Sequence, residues 1–250
     1  MQIIRTLTEW RQVRSSLGAA SLGFVPTMGC LHPGHRQLLE RAASENDFSV
    51  MSLFVNPAQF NDPADFKLYP RDEAKDLALA EAAGIDCVWL PTEAELYPDG
   101  YAFRVTSLHP LAQCMEGIQR PLHFDGVLTV VMKLLLLVRA QRAYFGEKDY
   151  QQLQLVTECS KAFFLETDIV PCETVRLPSG LPYSSRNSRL DAEGMGRAEA
   201  FARILEQHKT LADVKRELTA LSIPYDYVEE ADGRILAAVR IGGIRLLDNR

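Results

Sequence analysis

Two histidines three residues apart are the chemically most informative feature of this sequence. His32 and His35 follow the apolar residues 22–25 and Gly29, and Pro33 marks the start of a predicted helix. Residues at positions i and i+3 share one face of a helix, so both imidazoles can point the same way. A helix N-terminus also offers free backbone N–H groups and the positive end of the helix dipole, which favour a bound phosphate. The pattern predicts a phosphate site with two imidazole donors, and His35 is the better placed cation.

The same pair could instead be half of a metal site, or two surface residues. A zinc site needs three or four protein ligands, and no further His or Cys lies at motif spacing. Gly29 before the pair and Gly34 within it favour the phosphate interpretation, because glycine lets a backbone approach a ligand closely. No metal held by protein ligands is therefore expected.

A second junction between a predicted strand and a predicted helix occurs at residues 145–153. Asp149 could simply cap the helix, whereas Lys148 supplies a mobile cation for phosphate oxygens. A polar stretch at residues 184–186 adds two hydroxyls and a guanidinium. Arg186 suits a bidentate phosphate contact, although many such loops are only solvated. Both stretches indicate additional anion-binding groups.

An amide near the end of the predicted strand 48–55 indicates a different kind of ligand. The pair Asn56-Pro57 is typical of a turn, and that role is sufficient for both residues. Gln59 offers donors and an acceptor without a charge, which suits a hydroxy acid. The sequence thus pairs anion-binding groups with a neutral amide.

These residues must be positioned by alternating strands and helices. The predicted strands of the first part are residues 22–25, 48–55, 87–90, 143–145 and 169–170. The predicted helices between them are residues 8–16, 33–43, 71–83, 126–138 and 149–162, and residues 56–70 form a long loop. Such alternation predicts an α/β fold, a Rossmann-like parallel sheet covered on both faces. Ligands of these sheets bind at the carboxyl ends of the strands.

The character of the chain changes after residue 172. Helices are predicted at residues 192–207 and 211–221, followed by strands at 225–229, 235–240 and 244–247. The pairs Asp232-Gly233 and Gly242-Gly243 are hairpin signals. Residues 1–172 are therefore predicted to form the Rossmann-like domain, and residues 173–250 a smaller C-terminal α+β domain with an antiparallel sheet.

Composition excludes several classes of protein. The 250 residues are 47% hydrophobic and 24% charged, as in ordinary globular proteins, and a net charge of −6 argues against a general nucleic-acid binder. Five scattered cysteines without a C-x-x-C pair, and no apparent signal peptide, favour reduced thiols in the cytoplasm. The longest apolar stretch, residues 127–138, is too short to span a bilayer and predicts a buried helix.

Residues 27–35 resemble the nucleotide-binding signature of the pantothenate synthetase family, within the HIGH-motif nucleotidyltransferases. Residues 54–60, 115–127, 145–153 and 184–187 resemble the same family in the same order. The resemblance covers about residues 1–190. It implies ATP-dependent ligation of pantoate and β-alanine through a pantoyl-adenylate intermediate, with release of pyrophosphate and AMP. It also implies Mg²⁺ arriving with ATP, and a homodimer, as is common in the family.

The resemblance assigns roles to individual residues. His32, His35, Lys148 and Arg186 are expected to be catalytic, and Gln59 and Gln152 to bind pantoate, with Gln59 also bordering β-alanine. ATP-binding residues are expected from three parts of the chain, with Gly146 and Asp149 at the ribose and Val175 at the adenine. They are Met28, Gly29, Cys30, Leu31, His32, Pro33, Gly34, His35, Gly146, Glu147, Lys148, Asp149, Val175, Tyr183, Ser184, Ser185 and Arg186. The small domain is expected to close over the triphosphate.

The chain departs from the family pattern at several positions. Leu122 stands where glycine is usual, and glycine permits positive φ values that leucine disfavours. Pro182 and Tyr183 are expected to alter how the 184–186 loop closes, and the part after Asn187 to be shorter than usual and only loosely similar. Two alternatives stay open: another HIGH-type nucleotidyltransferase, and a non-catalytic nucleotide-binding regulator.

Overall fold

The computed structural model describes residues 1–61, 63–207 and 209–250. They fall into two units. The first comprises residues 1–31, 35–146 and 151–172, and the second comprises residues 32–34, 147–150 and 173–250. Two short segments from the first 172 residues therefore group with the C-terminal part of the chain, and both carry predicted ATP-binding residues.

The first unit is built on a six-stranded sheet. Its strands are β1 (Gln2–Ile4), β2 (Leu22–Thr27), β3 (Phe48–Leu53), β4 (Cys87–Trp89), β5 (Arg142–Gly146) and β6 (Asp168–Cys172). Their order across the sheet is β1-β4-β3-β2-β5-β6, and every neighbouring pair is parallel. The predicted Rossmann-like parallel sheet is confirmed.

Eight helices belong to this part of the chain as described. They are α1 (Leu7–Ser16), α2 (Pro33–Ser44), α3 (Pro63–Leu68), α4 (Glu73–Ala82), α5 (Glu93–Leu96), α6 (Glu116–Gln119), α7 (His123–Val138) and α8 (Tyr150–Ala162). Successive strand residues alternate between two apolar layers. Phe24 and Val50 pack with residues of α7, whereas Val25 and Met51 pack with residues of α2 and α4. A sheet buried on both faces explains why neighbouring residues of β2 and β3, such as Phe24 and Val25, are both apolar.

Several elements differ from their predictions for local reasons. The 56–70 stretch, predicted as a loop, contains a 3₁₀ turn at Pro57–Gln59 and α3, although Asp62 lies outside the described residues. Helix α1 begins at Leu7, one residue before the predicted start, because Thr6 and Glu9 form a reciprocal capping box. Strand β1 and helices α5 and α6 are three or four residues long, too short for a periodic pattern.

The second unit contains helices α9 (Ala192–Gln207) and α10 (Leu211–Ala220) and an antiparallel sheet. Its strands are β7 (Tyr225–Ala231), β8 (Arg234–Ile241) and β9 (Ile244–Asn249), in that order. Both predicted hairpins are present, and all four of their turn residues have positive φ, as a two-residue hairpin turn requires. The predicted α+β character is confirmed.

Helix α7 is the most apolar helix of the chain, and most of its side chains are buried in the first unit. The prediction of a buried helix at this stretch is confirmed. Among the helices of the described residues, none combines the length and hydropathy needed to cross a bilayer.

Candidate active site

The turn that follows β2 is held by a buried carboxylate that the sequence analysis did not identify. Asp76, on α4, is 2% exposed. Its two oxygens accept hydrogen bonds from the backbone nitrogens of Cys30, at 2.9 Å, and Leu31, at 2.7 Å. A Cβ atom on Gly29 would lie 2.6 Å from the Asp76 carboxylate, and Gly29 has a φ of +81°. Glycine is therefore required here both for its conformation and for its small size.

This arrangement reduces the number of backbone N–H groups that this turn can offer to a phosphate. The N–H groups of Cys30 and Leu31 donate to Asp76, so these two donors, which precede the helix, are already engaged. Cys30 also adopts a φ of +53°, which is unusual for a residue with a Cβ atom. His35 lies partly exposed in the first turn of α2. Any contact of Cys30 or Leu31 with ATP must therefore use other atoms.

Gln59 is held through its side chain by Asn56. The Asn56 amide is 1% exposed, and its nitrogen donates to the side-chain oxygen of Gln59 at 3.0 Å and to the carbonyl of Gly126 at 3.2 Å. The hydroxyl of Tyr97 donates to the Asn56 oxygen at 2.7 Å, and burial raises the pKa of Tyr97. The turn role predicted for Asn56 is thus incomplete, because its side chain also orients Gln59, which is predicted to bind pantoate.

Arg120 and His123 contact the backbone of Gln59. The Nδ1 atom of His123 lies 2.8 Å from the Gln59 carbonyl oxygen, and Arg120 donates to the same oxygen at 3.2 Å. A carbonyl oxygen only accepts hydrogen bonds, so Nδ1 carries the proton. Arg120 also lies 3.1 Å from His123 Nε2, which is then the acceptor. Both residues order the segment that carries Gln59.

Helix α7 fixes the same segment from another side. A Cβ atom on Gly126 would lie 2.2 Å from the carbonyl oxygen of Ala58 and 2.8 Å from the nitrogen of Gln59. Real Cβ atoms do not approach backbone atoms so closely, so only glycine permits this packing. Gly126, which lies in the family-like block 115–127, therefore has a steric role beside Gln59.

Two neighbouring glutamines on α8 have different environments. Gln151 is 3% exposed, and its amide donates to the carbonyls of Leu111 and Cys114 and accepts from the nitrogen of Glu116. Gln152 is partly exposed. A step of one residue turns a side chain by about 100° around a helix. Gln151 therefore makes interior hydrogen bonds, and Gln152 remains the residue predicted to bind pantoate.

In the second unit, Tyr183 packs against His32. Their ring centroids are 6.4 Å apart with an interplanar angle of 21°. The backbone nitrogen of Tyr183 donates to the carbonyl of Val175 at 3.1 Å, which occupies one acceptor of the residue predicted at the adenine. The departure from the family pattern at Tyr183 therefore creates a stacking partner for a predicted catalytic histidine.

The 184–186 loop and the lysine turn also belong to the second unit. Ser184 Oγ accepts a hydrogen bond from the nitrogen of Arg186 at 3.2 Å, which shapes the loop. Lys148 Nζ lies 3.3 Å from the Asp149 carboxylate, and the lysine side chain is 18% exposed. A hydrogen bond within the chain therefore shapes the 184–186 loop, and the ion pair with Asp149 restrains the Lys148 side chain.

The predicted site residues are divided between the two units. The first unit contains Met28, Gly29, Cys30, Leu31, His35, Gln59, Gly146 and Gln152. The second contains His32, Pro33, Gly34, Glu147, Lys148, Asp149, Val175, Tyr183, Ser184, Ser185 and Arg186. Within the described residues, no group of three or more His, Cys, Asp or Glu side chains is arranged to hold a metal ion.

Comparison with known proteins covers the whole chain. The pantoate–β-alanine ligase family matches residues 2–250. Pantothenate synthetase of Legionella pneumophila strain Corby is 52% identical over 250 residues, 100% of this chain and 99% of that protein. The enzyme of Coxiella burnetii strain RSA 331 is 51% identical over 248 residues, 99% of this chain and 96% of that protein.

Two solved structures of the same family superpose on this chain over its full length. A pantoate–β-alanine ligase from Francisella tularensis, complexed with β-γ ATP and β-alanine, superposes with a TM-score of 0.95 at 40% identity, covering 100% of this chain and 97% of that one. Pantothenate synthetase from Thermus thermophilus gives a TM-score of 0.92 at 39% identity, covering 100% and 99%. The family match runs to residue 250, so the likeness continues past Asn187, and these relatives have nearly the same length as this chain. This chain belongs to the pantoate–β-alanine ligase family.

Proposed function

We propose that this chain catalyses the ATP-dependent ligation of pantoate to β-alanine in pantothenate biosynthesis. The observation that carries the proposal is the family match over residues 2–250, with 51% and 52% identity to two pantothenate synthetases over nearly their full lengths. The Francisella tularensis relative, described as a complex with β-γ ATP and β-alanine, supports both ligands for this chain.

The reaction proceeds in two steps. The pantoate carboxylate attacks the α-phosphorus of ATP, the bond from that phosphorus to the bridging oxygen breaks, and pyrophosphate leaves with the electron pair. The β-alanine amine then attacks the acyl carbon of pantoyl adenylate, loses a proton, and AMP leaves. Adenylation converts a poor acylating agent into one with a good leaving group. The protein needs no nucleophile, only alignment of the substrates and stabilisation of the charge that develops on phosphate.

Four side chains supply that stabilisation. His32 and His35 donate hydrogen bonds to phosphate oxygens, Lys148 contributes a compact cation, and Arg186 a bidentate contact. Stacking of Tyr183 on His32 restricts the orientation of that imidazole. Hydroxyls of Ser184 and Ser185 complete the triphosphate contacts. The remaining predicted ATP-binding residues contact the ribose and the adenine.

Gln59 and Gln152 hold pantoate through neutral amides, which bind a hydroxy acid without a competing nucleophile. The preformed orientation of Gln59 supports this role, because Asn56 contacts its side-chain oxygen and His123 its carbonyl. Since Gln59 uses one side-chain lone pair for Asn56, its amide N–H groups are the donors directed to pantoate and β-alanine. A site fixed by buried amides loses little further freedom when it binds its ligand.

Three finer assignments complete the proposal. Mg²⁺ enters with ATP as part of the substrate. The protein acts in the cytoplasm, a compartment that keeps scattered cysteines such as these reduced. It forms a homodimer, as members of the family commonly do.

Release of pyrophosphate tests the function directly. The purified protein is incubated with Mg-ATP and with pantoate and β-alanine, together or singly. The proposal requires pyrophosphate release that depends on pantoate, and AMP and pantothenate formation that requires all three substrates. ATP binding without turnover would instead identify a non-catalytic regulator. Turnover with another acceptor, but not with pantoate, would identify a different HIGH-type nucleotidyltransferase.

A further inference from the structure

The last strand of the chain ends in two buried polar residues outside the predicted site. Asp248 is 2% exposed and Asn249 is 3% exposed, both at the end of β9. Buried amides and carboxylates are costly unless their hydrogen-bonding groups are satisfied. The partners of these two side chains therefore show what they stabilise.

Asn249 binds the turn that carries Lys148. Its side-chain nitrogen donates to the carbonyl oxygens of Glu147 and Lys148, both at 2.9 Å. Its side-chain oxygen accepts a hydrogen bond from Arg234 at 3.1 Å. Both amide hydrogens and the acceptor are thus engaged. The Asn249 amide thus holds two consecutive carbonyls and fixes the backbone of Lys148, although the two residues lie 101 positions apart in the sequence.

Arg234 completes the attachment through side chains. Its guanidinium donates to the carboxylate of Glu147 at 2.8 Å and lies 4.8 Å above the ring of Tyr150. The Tyr150 hydroxyl in turn donates to Asp232 in the hairpin between β7 and β8. Glu147 and Tyr150, which flank the pair Lys148-Asp149, are therefore held by side-chain contacts, whereas Asn249 holds the backbone.

Asp248 acts on the segment that precedes the 184–186 loop. It forms a two-pronged ion pair with Arg176, at 2.8 and 2.9 Å. Arg176 also donates to the carbonyls of Gly180 and Asn249. Neighbouring residues at the end of β9 thus contact the turn that carries Lys148 and the segment that precedes the 184–186 loop.

We propose that Asn249 is a positioning residue for the adenylation step, because it fixes the backbone from which Lys148 reaches the phosphates of ATP. This inference rests on the proposed function and deepens it. Lysine has a long, flexible stem, and its ammonium group is a point charge without directional preference. Accurate placement of the charge therefore depends on a fixed backbone, and a displacement of about 1 Å can cost a hundredfold in rate.

The test replaces Asn249 by aspartate, which has the same shape but places an anionic oxygen against the two carbonyls. Two reactions are measured separately: pantoate-dependent ATP–pyrophosphate exchange, and conversion of supplied pantoyl adenylate with β-alanine. Only the first uses the triphosphate. We expect Asn249→Asp to slow exchange by at least about tenfold while the second reaction changes by less than about twofold.

The double variant with Lys148→Ala shows whether Asn249 acts through the lysine. On that background, Asn249→Asp should change exchange by less than about twofold, because interacting residues are not additive. Asp226→Asn is the matched control, since Asp226 binds Arg240 and Arg245 in the same sheet and should leave exchange unchanged. If Asn249→Asp does not fold, Arg234→Gln, which removes the partner of the Asn249 oxygen, is expected to reproduce the selective loss.

Unchanged exchange, equal loss of both reactions, or full additivity with Lys148→Ala would each overturn the proposal. The affinity for ATP, measured by calorimetry, separates this inference from the proposed function. If the wild-type protein binds ATP but forms no pantothenate, the proposed function fails. The same variants then test Asn249 through the dissociation constant alone, which should rise by about tenfold for Asn249→Asp.

Discussion

The carboxylate of Asp76 lies 2.7 Å from the backbone nitrogen of Leu31. The same carboxylate binds the nitrogen of Cys30 and packs against Gly29. A side chain on α4 therefore determines the shape of the turn that leads from β2 to His32 and His35. This turn is a preformed structure in which the carboxylate, rather than a bound anion, satisfies two of the amides.

Asp76→Asn is expected to weaken ATP binding. An asparagine offers one oxygen where two N–H groups need acceptors, and its own N–H group would face a donor. A buried donor left without a partner costs about 1–3 kcal/mol, and we expect the KM for ATP to rise by about tenfold. Asp86→Asn, which alters an exposed carboxylate that also accepts from a backbone nitrogen, that of Ser49, should leave that KM unchanged. An equal change in both variants would contradict this role.

The reactivity of Cys30 gives a second measurement on the same variant. Burial, and then the Asp76 carboxylate, raises the pKa of the Cys30 thiol. Removal of the carboxylate charge should lower that pKa, so a larger fraction is thiolate near neutral pH. Alkylation of Cys30 by iodoacetamide should be faster in Asp76→Asn than in the wild type, and an unchanged rate would contradict the proximity of the two groups.

His35→Ala is expected to slow pantoyl-adenylate formation by at least about a hundredfold, the scale of a lost transition-state contact. Arg36→Ala is the matched control, because Arg36 is the next residue of α2 and forms an exposed pair with Glu40. Pantoate-dependent pyrophosphate release measures both variants. Near-normal release by His35→Ala would remove the central role given to this histidine.

Much of the fold follows from local patterns. Apolar runs such as Val50–Met51 on β3 predict a strand buried on both faces, and the glycine pairs predict the hairpins of the second unit. Helix α9 has the predicted bounds, because its apolar periodicity spans four turns. Motif residues such as His35 and Lys148 are recognisable because each lies where the chain passes from a strand to a helix.

The supporting residues could not be predicted in the same way. Asp76 reaches Leu31 across 45 positions and Asn249 reaches Lys148 across 101. Such contacts depend on tertiary packing and leave no periodic signal in the sequence. Asn56 was misleading for a different reason, since Asn before Pro already has a sufficient explanation as a turn. Its burial, which only the structure gives, shows the additional contact with Gln59.

Leu122→Gly is expected to stabilise the protein. Leu122 has a φ of +66° and ψ of −1°, and 65% of its surface is exposed. The left-handed conformation costs a non-glycine residue about 1–2 kcal/mol, partly offset by the greater unfolded-state freedom of glycine. The free energy of unfolding in urea should rise by about 0.5–1 kcal/mol. Leu136→Gly, on the exposed face of α7, should lose about 1 kcal/mol, and a loss in both variants would contradict the argument.

Asp226 is expected to contribute to the stability of the protein in a pH-dependent way. Burial disfavours its charge, but hydrogen bonds from Arg245 and Arg240 more than compensate, so the pKa of Asp226 is lowered. The unfolded chain therefore binds a proton at higher pH than the folded one, and the stabilisation is present above the ordinary pKa of about 4 and lost as the pH falls below it. Asp226→Asn should lose about 1–3 kcal/mol at pH 7.

Urea unfolding of wild type and Asp226→Asn at a series of pH values checks this prediction. The difference between them should be largest near neutral pH and shrink as the solution becomes acidic, because a protonated carboxyl resembles the amide. A difference that is constant down to acidic pH would show that the two ion pairs contribute no net charge stabilisation.

Gly126→Ala is expected to impair pantoate binding selectively. The added methyl group would lie 2.2 Å from the carbonyl oxygen of Ala58, so the backbone that carries Gln59 must move. A shift of about 1 Å in a substrate-positioning group can cost up to a hundredfold, and we expect the KM for pantoate to rise by at least about tenfold with the affinity for ATP unchanged. Asn56→Asp, which places a carboxylate against the Gln59 side-chain oxygen, should have the same selectivity without adding volume.

Gly196→Ala provides the control for the glycine substitution. A Cβ atom at Gly196 meets nothing within 4 Å in α9, so alanine should raise stability by about 1 kcal/mol through helix propensity and leave both substrates unaffected. Steady-state kinetics at fixed, saturating concentrations of the other substrates separates the two KM values. If Gly126→Ala raised the KM for ATP as much as that for pantoate, the contact of α7 with Ala58 would support the whole first unit rather than Gln59 in particular.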